Sequence, residues 1–286
     1  MDFTKMQGAA NDFIVVDARN IKRDWSKLAI AACDRHLGIG ADGLILLLPS
    51  DRVDFRMRIF NADGSEAETC GNGVRCLARW VLGEGLISPD AEEVTIETTV
   101  NIHRVTLERK GGRVVKFHAS MGKPGFDAGN IPVDLKVGEG EIVEINDMLK
   151  YKVKVNDIDL TLNLVSMGNP HAVHFCQGPV GDFPLSNIGL LVEKLPVFPN
   201  RVNFEIARVI DKQHMEARVW ERGVGETLAC GSGACAIAVA SRRLGYTENI
   251  ADIKLPGGTL EAEWNGNGEV ILGGPAEAVF QGKWPD

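Results

Sequence analysis

The sequence predicts an α+β protein made of two pseudo-symmetric halves, each a mostly antiparallel β-roll around a central helix. Three observations predict it. A glycine-framed cysteine turn occurs twice, as ETCGNGVRC from Glu68 to Cys76 and as LACGSGAC from Leu228 to Cys235. The shift that lays Cys70 over Cys230 also lays RIFN (Arg58 to Asn61) over RVWE (Arg218 to Glu221), and Gly43 over Asn203. With a two-residue adjustment, Asn11 in GAANDFIVV falls on Asn169 in MGNPHAVHF. The matches keep their order, which is the signature of an internal duplication. Finally, short β-prone runs outnumber the helices, with one or two apolar helices for each half to enclose.

The elements follow the same order in both halves. An Asn-bearing turn leads into a strand, Phe13 to Asp17 and then Ala172 to Cys176. A helix comes next, Ser26 to His36 in the first half and Pro184 to Glu193 in the second. GLILLLP, from Gly43 to Pro49, reads as a buried strand. HMEARVW alternates, so Met215, Ala217 and Val219 share one face. Each cysteine turn then launches a second helix. In the first, Val74, Leu77, Ala78 and Val81 form an apolar stripe that Gly83 or Gly85 ends. Its counterpart, GACAIAVASRRLG, is apolar nearly all round and is therefore expected to be buried, with Arg242 and Arg243 at its negative end and Gly245 as the cap. EEVTIETT, IHRVTLER, RVVKFHAS and TLEAEW supply further strands.

Bulk composition narrows the function. The chain has 286 residues, room for two domains, and is 44% hydrophobic. A net charge of -8 and a pI near 5.4 argue against nucleic-acid and anionic-membrane partners. Lys5, Asn11 and Asp12 interrupt any apolar leader, and Gly43 to Pro49 is too short to span a bilayer. The expected location is the cytoplasm, with the six cysteines reduced.

The chemistry concentrates at the two turns. A helix N-terminus offers unpaired N–H groups and partial positive charge, which favour thiolate over thiol. Gly71, Gly73, Gly231 and Gly233 carry no side chain, so a carboxylate can approach those groups. Each turn thus provides one sulfur and one anion cradle. Two sulfurs facing opposite sides of one carbon suit an epimerase or racemase, with one thiolate removing the α-proton and one thiol returning a proton. Mutual repulsion keeps the two in opposite protonation states, and His171 and Glu221 are candidates to bias them.

Plainer roles compete. Cys33, Cys76, Cys176 and Cys235 lie in apolar contexts and are expected in the core. Cys230 and Cys235 enclose four residues but lack the partners of a zinc knuckle, and no Gly-Lys-Ser/Thr follows GNG or GSG to make a phosphate loop. His171 could cap a turn after Pro170, and Glu221 with Arg222 could be a solvated pair. Glu221 aligns with Asn61 across the repeat, which argues for function. Asn residues also serve turns, the reading given to Asn20 and Asn130.

Taken together, GAANDF, NADGSEAETCGNGVRC, GNPH, VNFE and WERGVGETLACGSGAC resemble the diaminopimelate epimerase family, from about residue 5 to GGPAEAVF near the C-terminus. The resemblance implies a cofactor-independent, metal-free isomerase that interconverts LL- and meso-diaminopimelate on the lysine and peptidoglycan route. It implies Cys70 and Cys230 as the acid/base pair, with Cys230 taking the proton from the L centre and Cys70 donating. Asn11, Asn61, Asn169 and Asn203 would bind substrate through their amides. Gly71, Asn72, Gly231 and Ser232 would hold the reacting α-carboxylate. Glu221 and Arg222 would bind polar groups of the substrate, with His171 and Glu221 tuning the thiols.

The resemblance also implies a first domain, residues 1–127 with 275–286, interrupted by a second, residues 128–274. A small amino-acid substrate is expected, with no nucleic-acid or membrane partner; a homodimer is an expectation the sequence leaves open. Gly43 departs from family members that carry Gln there, so the distal end of the substrate must be met by other groups. The alternatives are a racemase of the same fold, independent of pyridoxal phosphate and acting on proline or histidine, and a non-catalytic thiol or metal-binding protein.

Overall fold

The computed structural model describes residues 1–67 and 70–285. Glu68 and Thr69, which open the first cysteine turn, lie outside the described residues. The chain divides into two compact units, Met1–Ser120 with Gly273–Asp286, and Met121–Leu272.

In the first unit, β1 (Asp2–Gly8) and β2 (Asn11–Asp17) form a two-residue hairpin. Its turn residues Ala9 and Ala10 both take positive φ, 55° and 61°, as an I′ hairpin requires. Helix α1 (Trp25–Cys33) then crosses over to β3 (Gly43–Leu48), which lies parallel to β2. β4 (Phe55–Asn61) and the short β5 (Glu66–Ala67) precede α2 (Gly71–Gly83). A second crossover brings β6 (Glu93–Glu97) parallel to β4, and β7 (Ile102–Lys110) and β8 (Arg113–Ser120) extend the sheet antiparallel. On the other side, the C-terminal strand Glu277–Lys283 pairs with β1.

This topology explains the unbroken apolar run of β3. Ile45 and Leu47 join Phe13 and Val15 in the core around α2. Leu44 and Leu46 join Ile14 and Val16 under α1. Both faces are covered, so alternation disappears from the sequence.

The second unit repeats the plan. β9 (Glu141–Ile145) and β10 (Met148–Val155) form a hairpin, and β11 (Ile158–Ser166) pairs with β10. β12 (Pro170–Phe175), α3 (Leu185–Glu193) and β13 (Asn203–Val209) reproduce the first parallel crossover. β14 (His214–Glu221), β15 (Gly225–Thr227), α4 (Gly231–Arg243) and β16 (Ile250–Leu255) reproduce the second. β17 (Gly258–Glu263), β18 (Ile271–Gly274) and β19 (Glu277–Lys283) complete the chain. The two parallel crossovers in each unit, at matching places, are the structural form of the duplication. The α+β class and the roll around a central helix stand as expected.

Both cysteine helices are buried for local reasons. In α2, Val74, Leu77, Ala78 and Val81 are fully inaccessible. In α4, ten of the thirteen residues are buried, as an all-round apolar helix demands. Gly245 closes α4 at φ 73°, where the Tyr246 amide reaches back to Ser241 O at 2.9 Å.

Two expectations need correction. The first helix ends at Cys33 instead of His36, because the Asp34 carboxylate takes the His36 and Leu37 amides and turns the chain. Cys176 packs against the edge of the second-unit core and is not inside it. It follows the end of β12, half-buried, and its thiol meets the carbonyls of Gly178 and Ala207. Cys33, Cys76 and Cys235 are buried as expected. Among the described residues no helix is long and apolar enough to cross a membrane.

Candidate active site

Each cysteine occupies the N-cap of its helix, in extended backbone conformation. Cys70 Sγ accepts the Gly73 amide at 3.5 Å, and Cys230 Sγ accepts the Gly233 amide at 3.4 Å. The cap atom of Ser or Asp is here a sulfur, so the orphan N–H groups of the first turn face a thiol.

In the first unit, the β1–β2 turn presents Asn11. Its Oδ1 lies 3.7 Å from Cys70 Sγ and accepts the Asn72 amide at 3.3 Å. Its Nδ2 is committed to Asp42 Oδ2 at 2.6 Å, which fixes the oxygen toward the sulfur. Asn72 is buried and receives Arg75 Nη2 at 2.7 Å, while Arg75, also fully buried, reaches Gly71 O. Asp42 belongs to a charged cluster with Arg35, Asp12 and Lys5. Burial pushes the Asp12 carboxyl up, but Arg35 and Lys5 outweigh it and hold the group down at about 2.

Gly43 pairs directly opposite Asn61. A Cβ at Gly43 would lie 2.8 Å from the Phe60 carbonyl oxygen, so the strand pair leaves no room for a side chain. Asn61 is exposed and bonds Ser65 Oγ within its own turn.

In the second unit, Asn169 stands before β12 and donates to Ser232 Oγ at 3.3 Å. Ser232 Oγ is 3.5 Å from Cys230 Sγ. His171 is fully buried, with Nε2 at 3.0 Å from Asn169 Oδ1 and Nδ1 at 2.7 Å from Glu205 Oε1. Glu221, at the end of β14, accepts Thr227 Oγ1 at 2.6 Å. Asn203 donates to Pro170 O and accepts the Arg222 amide, tying the start of β12 to the turn after β14. The Arg222 guanidinium reaches Asn200 O. The structure therefore gathers Asn11, Asn72 and Gly71 around Cys70, and Asn169, His171 and Ser232 around Cys230. It places Asn61 in a local turn contact, and Asn203 and Arg222 in contacts that join separate segments of the second unit.

The helix start pulls the Cys230 thiol down, as expected, but the net shift is upward. Burial pushes it well above its ordinary value, Glu221 and Glu205 push it further, and Ser232 and the Gly233 amide only partly offset them. Cys76 is likewise pushed up, to about 12, by burial.

Sequence reasoning missed Glu205, the fully buried carboxylate that holds His171. Its signal was a charged residue inside the apolar run VNFEIARV. Among the described residues no cluster of three or more His, Cys, Asp or Glu could hold a metal ion.

In each half of the duplicated roll a thiol caps the central helix. A sequence model described as Diaminopimelate epimerase matches residues 3–126 and 163–279. Diaminopimelate epimerase of Acetivibrio thermocellus is 45% identical, covering 99% of this chain and 98% of that protein. That of Methanococcus maripaludis is 43% identical, covering 99% of each. The chain belongs to the diaminopimelate epimerase family. Solved structures show the same fold at low identity. A probable proline racemase from Agrobacterium radiobacter gives a TM-score of 0.70 at 14% identity, over 99% of this chain and 92% of that one. A Bacillus anthracis phenazine biosynthesis protein of the PhzF family gives 0.67 at 17% identity, over 98% and 97%.

Proposed function

We propose that this epimerase interconverts LL- and meso-diaminopimelate with Cys70 and Cys230 as its acid/base pair, in lysine and peptidoglycan-precursor synthesis. The relatives' names support the substrate. The observation that carries the chemistry is the matched pair of sulfur-capped helix starts, each with a glycine amide on the sulfur.

In the LL-to-meso direction Cys230 takes the α-proton and Cys70 delivers one to the opposite face; the return reaction exchanges the roles. Both steps conserve protons, since the pair begins with one and ends with one. The N–H groups at Gly71, Asn72, Gly231 and Ser232 bind the α-carboxylate and stabilise the charge that spreads into it as the carbanion forms. Asn11 and Asn169 hold the reacting end, with Asn61, Asn203, Glu221 and Arg222 on the remaining polar groups. His171 and Glu221 set the thiol proton balance. The proposal includes a first domain of residues 1–127 with 275–286, a second of 128–274, a cytoplasmic location and a homodimer, the last open to sedimentation analysis.

The test is epimerisation of LL-diaminopimelate by Cys70→Ala and Cys230→Ala proteins. Each is expected to be inactive, because each direction needs both an acid and a base. Near wild-type turnover in either variant would remove that cysteine from the mechanism.

A further inference from the structure

We propose that Glu205 is a positioning residue that aims a chain of hydrogen bonds at the sulfur of Cys230. The proposal rests on Cys230 being a reacting thiol, and it concerns residues of the second unit alone. Four contacts run in series. Glu205 Oε1 meets His171 Nδ1 at 2.7 Å, and His171 Nε2 meets Asn169 Oδ1 at 3.0 Å. Asn169 Nδ2 donates to Ser232 Oγ at 3.3 Å, and Ser232 Oγ lies 3.5 Å from Cys230 Sγ.

Chemistry gives this chain a direction. An amide oxygen only accepts, so His171 Nε2 must carry hydrogen. The amide nitrogen of Asn169 then donates to Ser232, which leaves the serine hydrogen available to Cys230 Sγ when the sulfur is a thiolate. In that state every donor points toward the sulfur, and the last bond is charge-assisted. The direction depends on Nδ1. A neutral imidazole protonated at Nδ1 would make Nε2 an acceptor, in conflict with the Asn169 oxygen. Two arrangements of the Glu205–His171 contact keep hydrogen on Nε2. As carboxylate Glu205 stabilises an imidazolium with both nitrogens protonated; as carboxylic acid it donates to Nδ1 and leaves hydrogen on Nε2.

Burial makes the arrangement costly to hold without a use. Glu205 and His171 are both fully inaccessible, and Glu205 Oε2 has no hydrogen-bond partner among the described residues. The carboxylate lies under the helix start, where a Cβ at Gly233 would come 3.1 Å from Oε1. The charged or titratable groups around Cys230 are Glu205 on β13, Glu221 on β14 and His171 on β12. Only Glu205 and His171 connect to the sulfur through the chain.

The test is a double-mutant cycle on the pH midpoint of Cys230 alkylation by iodoacetamide, with the Cys230 peptide followed by mass. Ser232→Ala is expected to raise the midpoint by about one unit when Glu205 is present, the loss of one bond to a charged sulfur. In a Glu205→Leu background the same change should move it by much less. Equal shifts in both backgrounds would overturn the proposal, and would leave Glu205 as a buried charge or a packing residue. A second measurement needs no variant. Nitrogen-15 NMR of the unaltered protein near neutral pH should show His171 Nε2 protonated, and an unprotonated Nε2 would also overturn it. Neither measurement uses substrate, so failure here is separable from failure of the assigned reaction.

Discussion

The amide of Gly233 donates to the sulfur of Cys230 at 3.4 Å, and the repeat reproduces the contact with Gly73 and Cys70 at 3.5 Å. Glycine at the third helical position leaves room for the groups packed against the helix start. Added at Gly233, a Cβ would lie 3.4 Å from Sγ and 3.1 Å from Glu205 Oε1. At Gly73 it would lie 3.1 Å from the Ile45 side chain.

Gly233→Ala should therefore displace the Glu205 carboxylate by a few tenths of an ångström. The expected outcome is a fall in kcat of about a hundredfold, as small misplacements of reacting groups produce, with a much smaller change in Tm. A variant with unchanged kcat would show that the third-position glycine serves packing alone.

Glu221 raises the Cys230 thiol, second only to burial. In Glu221→Gln that charge is gone, so the alkylation midpoint of Cys230 should move to lower pH. Turnover should fall by at least about tenfold, since a poised pKa is part of acid/base catalysis. Melting and kcat are measured together. A large loss of Tm with kcat preserved would return Glu221 to a structural role.

The sign of a second pH effect follows from Asp12, held at about 2 against an ordinary 3.8. Between those values the unfolded chain binds a proton that the folded chain does not, so stability rises with pH across the window. Asp12→Asn should cost about 1 kcal/mol at neutral pH, after allowance for solvent screening. The gap from wild type should close as pH falls from near 4 to near 2. A gap of constant size down to pH 2 would mean that the charge contributes nothing.

Gly43 supplies a packing test. A Cβ there would meet a backbone oxygen at 2.8 Å, which cannot rotate away. Gly43→Ala should destabilise by about 1–3 kcal/mol, read as a lowered denaturant midpoint. An unchanged midpoint would show that β3 and β4 can part, and that a side-chain amide could be accommodated here.

Much of this was legible in the sequence because it is written in local pattern. The repeated cysteine turn, the stripe of Val74, Leu77, Ala78 and Val81, and the unbroken run of β3 each encode an element directly. Some local signals were overlooked. Asn146–Asp147 and Asn156–Asp157 take positive φ in the tight turns on either side of β10, and Asn-Asp pairs between β-prone runs announce such turns. Other features were not written locally at all. Glu205 meets His171 across 34 residues of sequence, through the register of two parallel strands. The rise of the Cys230 thiol is a consequence of burial, which exists only after packing; the helix start alone argued the opposite sign.

The most direct measurement of the two-thiol account is conversion of LL-diaminopimelate in D₂O, with α-carbon deuterium followed by NMR at early times. The donor thiol has already exchanged with solvent, while the proton removed goes to the other sulfur. The meso product should carry deuterium at the inverted carbon while the remaining LL substrate still carries protium. Deuterium appearing equally in product and unreacted substrate would mean that one group both removes and returns the proton, and would contradict the account.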